Sequence, residues 1–425
     1  MQLSTEQQYR SWRRRILISV WISYAMFYVG RVNMSIAIPG IMDEYGYTKT
    51  VMGGILTALF VAYAFGQFVN GQLGDKFGGR IMISLGLLLS GIFNFLFGFS
   101  TILTVMIIIW ALNGYVQSMG WSPSVKTVAN WFPRAMRGRV GGILGSSYQI
   151  GNVLSWLLAG LLAGSMGWRW IFWVPAMVLG AAAIHWYVRG RNAPEIVGLP
   201  CLEEEEDCKE RGEATSDHHL GFKYTLKLVL ASPQIWCLSF ALFFLNVVRY
   251  GFMNWAPTYM FEVQGATIST AAYKAIAIPL AGSLGAIFAG WMSDRLFGLR
   301  RAPASAIMLF ALALFVWIYP QIPSGNWTAS LAVLIMIGFL TYGPHVAIVS
   351  YAPMDFGSRK AAASVAGFVD GMGYIGAAIT GIASGFLADQ FGWNAAFYLW
   401  MAGALGAAFL MLMLWNYRPK ITEYH

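Results

Sequence analysis

Twelve apolar runs, each long enough to cross a lipid bilayer, leave this chain little choice of fold. They lie at about 16–38, 51–73, 81–100, 102–128, 140–163, 168–188, 235–261, 271–293, 303–320, 327–350, 361–387 and 394–416. A hydrocarbon core about 30 Å thick takes a helix of about 20 residues. Inside lipid every backbone N–H and C=O must bond within its own segment or close a barrel. Barrel strands would be short and alternating, and no such pattern is present. The fold class expected is therefore an all-α membrane protein with twelve transmembrane helices. Composition agrees: 57% of the 425 residues are hydrophobic and 11% are charged. Soluble domains carry about 25% charged residues, so a soluble enzyme is excluded. No catalytic triad, metal-ligand cluster or ATP phosphate loop stands out, so the chain reads as a non-enzyme without cofactor or metal.

The net charge of +9 resembles a nucleic-acid signal until the cations are placed. Arg10, Arg13, Arg14 and Arg15 sit in the N-terminal tail, which is read as running into a retained first helix. Most of the others fall in alternate loops on that same side, including Lys76, Arg80, Arg134, Arg137, Arg139, Arg295 and Arg300. The opposite side holds only Lys49, Arg169 and Lys274. Cytoplasmic loops carry the excess of Lys and Arg, so both termini are expected in the cytoplasm and no nucleic-acid partner is implied. The segment LEEEEDCKERGEATSDHH reads as a solvated linker. Cys201, Cys208, His218 and His219 within it match no standard zinc spacing.

That linker, residues 191–232, separates an N-terminal six-helix bundle (1–190) from a C-terminal one (233–425). The halves repeat each other. Gly71 to Lys76 (GQLGDK) ends span 2, as Gly290 to Arg295 (GWMSDR) ends span 8. Arg31 in span 1 is matched by Arg249 in span 7, again about 220 residues on. Such repeats place a substrate site near the midplane where the halves meet. Asp75, Lys76, Asp294 and Arg295 in the two turns are expected to gate, by exchanging ion pairs between states.

Three cations remain inside spans: Arg31, Lys126 and Arg249. A mid-span cation costs several kcal/mol unless it meets a polar cavity or a partner. Tyr24, Tyr28 and Arg31 fall at i, i+4 and i+7, on one helical face. Two matched guanidiniums suit a compact dianion such as a phosphoryl group. Lys126 has two readings: it adds to that positive potential, or its stem snorkels to the interface. Asp370, one turn before Tyr374, has three: balancing a cation, contacting substrate hydroxyls, or carrying a proton. Tyr24, Tyr28, Tyr148, Tyr250 and Tyr374 are candidate hydroxyl donors. His345, beside Pro344, reads as helix packing rather than a proton relay.

With these motifs assembled, the chain resembles the major facilitator superfamily, and within it the organophosphate:phosphate antiporters. The similarity runs along nearly the whole chain. It is carried by Tyr28, Arg31 and Asn33 in span 1, GWSPSVKTVANWFP, RYGFMNWAPTY, GWMSDR, and TYGPHVAI followed by RKAAASVAGF. The resemblance implies that Arg31 and Arg249 bind the substrate's phosphate, with Tyr28 and Tyr374 at the family's tyrosine positions. It implies exchange of a small organophosphate for inorganic phosphate by alternating access, in a cell membrane, by a monomer. The glycerol-3-phosphate branch has a basic residue at Val32, a lysine at Gln67, a histidine at Tyr148 and no acid at Asp370. The phosphate clamp is therefore kept and the surrounding pocket altered. The alternatives are a cation-coupled organic-anion symporter, with Asp370 as proton site, and a transporter-like sugar-phosphate sensor.

Overall fold

In a computed structural model the described residues are 4–200, 231–298, 300–351 and 359–416. All regular structure among them is helical. The first half holds α1 (Thr5–Val29), α2 (Met34–Tyr45), α3 (Lys49–Phe99), α4 (Leu103–Gln117), α5 (Trp121–Trp131), α6 (Arg134–Ser165) and α7 (Trp170–Arg189). The second holds α8 (Pro233–Glu262), α9 (Ile268–Ala275), α10 (Ala277–Leu296), α11 (Arg301–Ile318), α12 (Trp327–Val346), α13 (Arg359–Phe391) and α14 (Trp393–Met413).

Eleven segments among the described residues are long and apolar enough to cross a membrane. Several expected spans run otherwise than as single straight helices. The first is α1 plus α2 with a break between them, and the fourth is α4 plus α5. Spans 2 and 3 both lie in α3, where non-helical backbone at Gly78 (φ 76°) separates two helices, and the eighth is α9 plus α10. The fifth expected span, α6, lies outside the eleven. Its 32 residues reach about 48 Å at 1.5 Å per residue, so length is no obstacle. Ser146, Ser147, Tyr148, Gln149, Asn152 and Ser155 make it more polar than its neighbours.

By its internal contacts the chain divides into two units, Met1–Met34 with Val61–Asp217, and Ser35–Phe60 with His218–His425. Residues 35–60 thus pack with the C-terminal helices although they precede the linker by far. Asp389 of α13 caps the start of α3. Its carboxylate accepts from the backbone N–H of Lys49 (3.2 Å) and Thr50 (2.7 Å) and from Thr50 Oγ1 (2.7 Å). An acid at a helix N-terminus satisfies orphan N–H groups and meets the positive end of the dipole. Lys49 Nζ pairs with Glu262 at 3.2 Å and Asp389 at 3.7 Å. Farther along α3, Thr57 Oγ1 donates to Ala378 O at 2.6 Å.

In the other unit, α1 lies against α6 at Gly151, where a Cβ would run into Ala25 O. Small residues at such crossings let membrane helices approach closely, and packing rather than hydrophobic exclusion then holds them.

Candidate functional site

Arg31 sits in a turn, not on a continuous helix face. Helix α1 ends at Val29 and α2 begins at Met34, so Gly30 to Asn33 are irregular. Tyr24 and Tyr28 keep their helical register, whereas Arg31 leaves it. Irregular backbone at membrane depth must be satisfied from elsewhere. Here asparagines do it: the Nδ2 atoms of Asn94 and Asn113 both donate to Gly30 O, at 3.0 and 3.1 Å. Asn33 Nδ2 donates to Asn94 Oδ1 (3.0 Å) and Ile171 O (2.9 Å). All three asparagines are fully buried.

The turn aims Arg31 into an aromatic slot. Its guanidinium carbon lies 4.5 Å from the Tyr28 ring centre and 4.6 Å from that of Tyr63. Cations are drawn to ring faces, and more strongly where water is scarce; Arg31 is 5% exposed. Nε donates to Gln117 Oε1 at 3.0 Å. Gln117 is itself locked, because its Nε2 donates to Phe27 O and Ser90 Oγ, both at 2.9 Å. These bonds settle which amide atom is the oxygen. Gln117 thus takes the Nε edge of the guanidinium and leaves the Nη1/Nη2 end uninvolved in that bond.

Tyr28 links this slot to the other sequence-derived tyrosines of its unit, with ring centres 5.8 Å from Tyr24 and 5.9 Å from Tyr148. Trp121 stands 4.9 Å from Tyr24. Gln67 accepts a long hydrogen bond from Ser122 Oγ at 3.4 Å.

The second unit repeats the arrangement with different parts. Arg249 is 6% exposed on the unbroken helix α8. Its guanidinium carbon lies 4.9 Å from the Tyr250 ring centre and 5.1 Å from that of Tyr342. Nη1 stands 3.0 Å from His345 Nε2. Arginine only donates, so His345 Nε2 accepts and the ring is neutral with its proton on Nδ1. The reading of His345 as packing is therefore corrected: it is the polar partner of Arg249. Helix α12 passes into a π-turn at Ala347–Tyr351, just beyond that histidine, and such bulges are frequent at functional sites. Tyr374 lies 6.2 Å from Tyr250, and Phe60 packs edge-on to Tyr250 at 4.6 Å. Asp370 is half-buried one turn before Tyr374 on α13.

Each buried arginine thus lies near two tyrosine rings and has a neutral side chain, Gln117 or His345, among its hydrogen-bond partners. Of these partners the spacing in the sequence pointed to Tyr28 and Tyr250. Gln117, Tyr63, Tyr342 and the partnership of His345 come from neighbouring helices, and no spacing within one span reveals them. The one usable signal was the presence of Gln117 and Asn94 in otherwise apolar spans.

The remaining expected residues lie apart from these slots. Lys126 lines a cavity together with Lys76, Thr127, Asn130 and Asn192. Asp294 and Arg295 are exposed and form no ion pair with a described residue. The side chain of Asp75 lies outside the described residues, as do Cys201, Cys208, His218 and His219.

Eleven membrane-length apolar segments among the described residues, in two units that each hold a buried arginine, define a multi-pass membrane protein of the carrier class. The profile of the Major Facilitator Superfamily matches residues 20–381, and the chain belongs to that superfamily. It is 33% identical to the glycerol-3-phosphate transporter of Bacillus subtilis (strain 168) over 416 residues, 96% of this chain and 93% of the relative. It is 30% identical to the membrane sensor protein UhpC of Escherichia coli (strain K12), over 96% of this chain and 93% of the relative. In fold it is similar to an inward-facing, occupied bacterial homolog of the human lysosomal transporter Spinster. There the TM-score is 0.76 at 15% identity, covering 95% of this chain and 96% of the other.

Proposed function

We propose that this protein is a secondary carrier that exchanges a small organophosphate for inorganic phosphate, with Arg31 and Arg249 binding the phosphate. The observation that carries the reading is the matched pair of slots: one buried guanidinium in each unit, stacked on two tyrosines and oriented by a neutral partner. Gln117 and His345 orient the two guanidiniums, and the planar fork of arginine matches the geometry of a phosphate. The glycerol-3-phosphate transporter that the chain resembles supports the same substrate class.

The exchange follows from electrostatics. Bringing two buried cations together is unfavourable without an anion, and a phosphoryl dianion removes that cost. Occupancy would then control alternating access, so each half-cycle needs a phosphate-bearing passenger. Tyr24, Tyr148, Tyr374, Gln67 and Asp370 are the groups left to read the organic part. The protein would work as a monomer in the cell membrane, with both termini cytoplasmic.

Purified protein in liposomes loaded with phosphate should take up labelled organophosphate, and empty liposomes should not. Equal uptake in both would exclude obligatory exchange. Competition by a panel of phosphate esters would identify the carbon skeleton. The relative named as a membrane sensor favours a second reading, in which the chain binds a sugar phosphate and signals. Saturable binding with no exchange in the same liposomes would support the sensor.

A further inference from the structure

At the end of the first unit that carries Arg13 there is a cavity of about 190 Å³. By the same measure a single water needs only about 10–15 Å³, so the space takes a polyatomic ligand. It is lined by Lys76, Gly78, Lys126, Thr127, Asn130 and Asn192, with Phe77 at its edge. Among the described residues that line it none is acidic.

The cavity is built rather than incidental. Gly78 adopts φ 76°, and a Cβ there would run into the Asn192 side-chain amide. A residue other than glycine would therefore be both strained and blocked. Asn192 Oδ1 accepts from the backbone N–H of Arg80 at 2.7 Å, which fixes Nδ2 as the free donor edge of that amide. Asn130 Nδ2 donates to Asn192 O at 3.0 Å, and Trp131 Nε1 to Arg191 O at 2.9 Å. These bonds pin the 190–192 stretch across the mouth of α5. Outside the rim, Phe77, Ile81 and Val125 are 46%, 48% and 43% exposed. Exposed apolar residues on a membrane span face acyl chains, so the cavity opens where lipid meets water.

We propose that this cavity is a second anion site, taking a phosphate group at the interface through Lys76, Lys126 and the Asn192 amide. Basic pockets between helices at this depth suit phosphate head groups, and two lysines act as point charges beside one directed amide donor. The site lies on one unit alone and does not depend on the roles of Arg31 and Arg249. Its phosphate has two possible sources, an anionic phospholipid or a soluble phosphate.

The test compares Lys76→Gln/Lys126→Gln with Arg10→Gln/Arg14→Gln, which removes two exposed charges from the same end. Lys76→Arg/Lys126→Arg keeps the charge and serves as the folding control. In the lipid arm, native mass spectrometry counts phosphatidylglycerol and phosphatidylcholine adducts on the purified full chain. In the soluble arm, labelled inorganic phosphate is bound in detergent, with Arg31→Gln/Arg249→Gln added to remove the other proposed site. The lysine pair should lose phosphatidylglycerol adducts or the residual phosphate binding by about fivefold per lysine. The tail pair and the arginine control should stay near wild type. Loss in the first arm alone identifies the lipid, and loss in the second alone the soluble anion. Unchanged binding in both arms, or equal loss in the lysine and tail pairs, overturns the site.

Discussion

Replacing Arg31 by lysine separates the charge of the proposed phosphate site from its geometry. Lysine keeps the positive charge, so long-range attraction of an anion is retained. It has no Nε, so one nitrogen must serve either Gln117 or the phosphate. In the wild type Gln117 holds Nε at 3.0 Å while the Tyr28 and Tyr63 ring centres lie 4.5 and 4.6 Å from the guanidinium carbon. An ammonium is still attracted to the rings, but nothing fixes its orientation. The loss is about one charge-assisted hydrogen bond, about 1.5–3 kcal/mol. At about 1.4 kcal/mol per decade that weakens phosphate binding by roughly 10–150-fold. The effect should fall on the dissociation rate, because steering depends on charge and most affinity changes lie in koff. Equilibrium binding of labelled phosphate to the purified variant gives Kd, and a thermal melt confirms folding. Exchange into phosphate-loaded liposomes should fall in parallel. A Kd within about twofold of wild type would refute the bidentate role of Arg31. If Arg31→Gln bound as well as Arg31→Lys, the charge itself would be irrelevant.

Three further outcomes test the partners. Gln117→Leu removes the acceptor of Arg31 Nε and the donor to Phe27 O, so phosphate affinity should drop by about tenfold or more; an unchanged Kd would make Gln117 a packing residue. His345→Gln retains a neutral acceptor for Arg249 and should preserve more exchange activity than His345→Leu. Equal activity in those two variants would show that the 3.0 Å contact does not position Arg249. Asp389→Asn removes one of the two oxygens that cap α3, costing about 1–3 kcal/mol. Amide exchange at Lys49 and Thr50 should quicken while α14 is unaffected, and unaltered exchange at both amides would disprove the cap.

Much of this protein follows from the sequence alone, for a simple reason. Lipid offers no hydrogen bonds, so apolar length dictates helices, and a low charge content makes each buried cation conspicuous. Arg31 and Arg249 stood out on those grounds, and their repeat spacing paired them. What the sequence could not supply was anything that depends on two distant segments meeting. Periodicity continued α1 through Arg31; the observed break requires Asn94 and Asn113, far along the chain, to satisfy Gly30 O. His345 looked like packing because its partner Arg249 is 96 residues away. That Lys126 lines one cavity with Lys76 and Asn192 likewise depends on segments far apart in the chain. Residues 35–60 read as part of the first six spans, yet Asp389 and Glu262 bind them to the second unit. Burial in a bilayer is a property of each segment and is written locally. The satisfaction of a broken backbone or a buried cation is a property of pairs, and only the tertiary structure decides which pairs form.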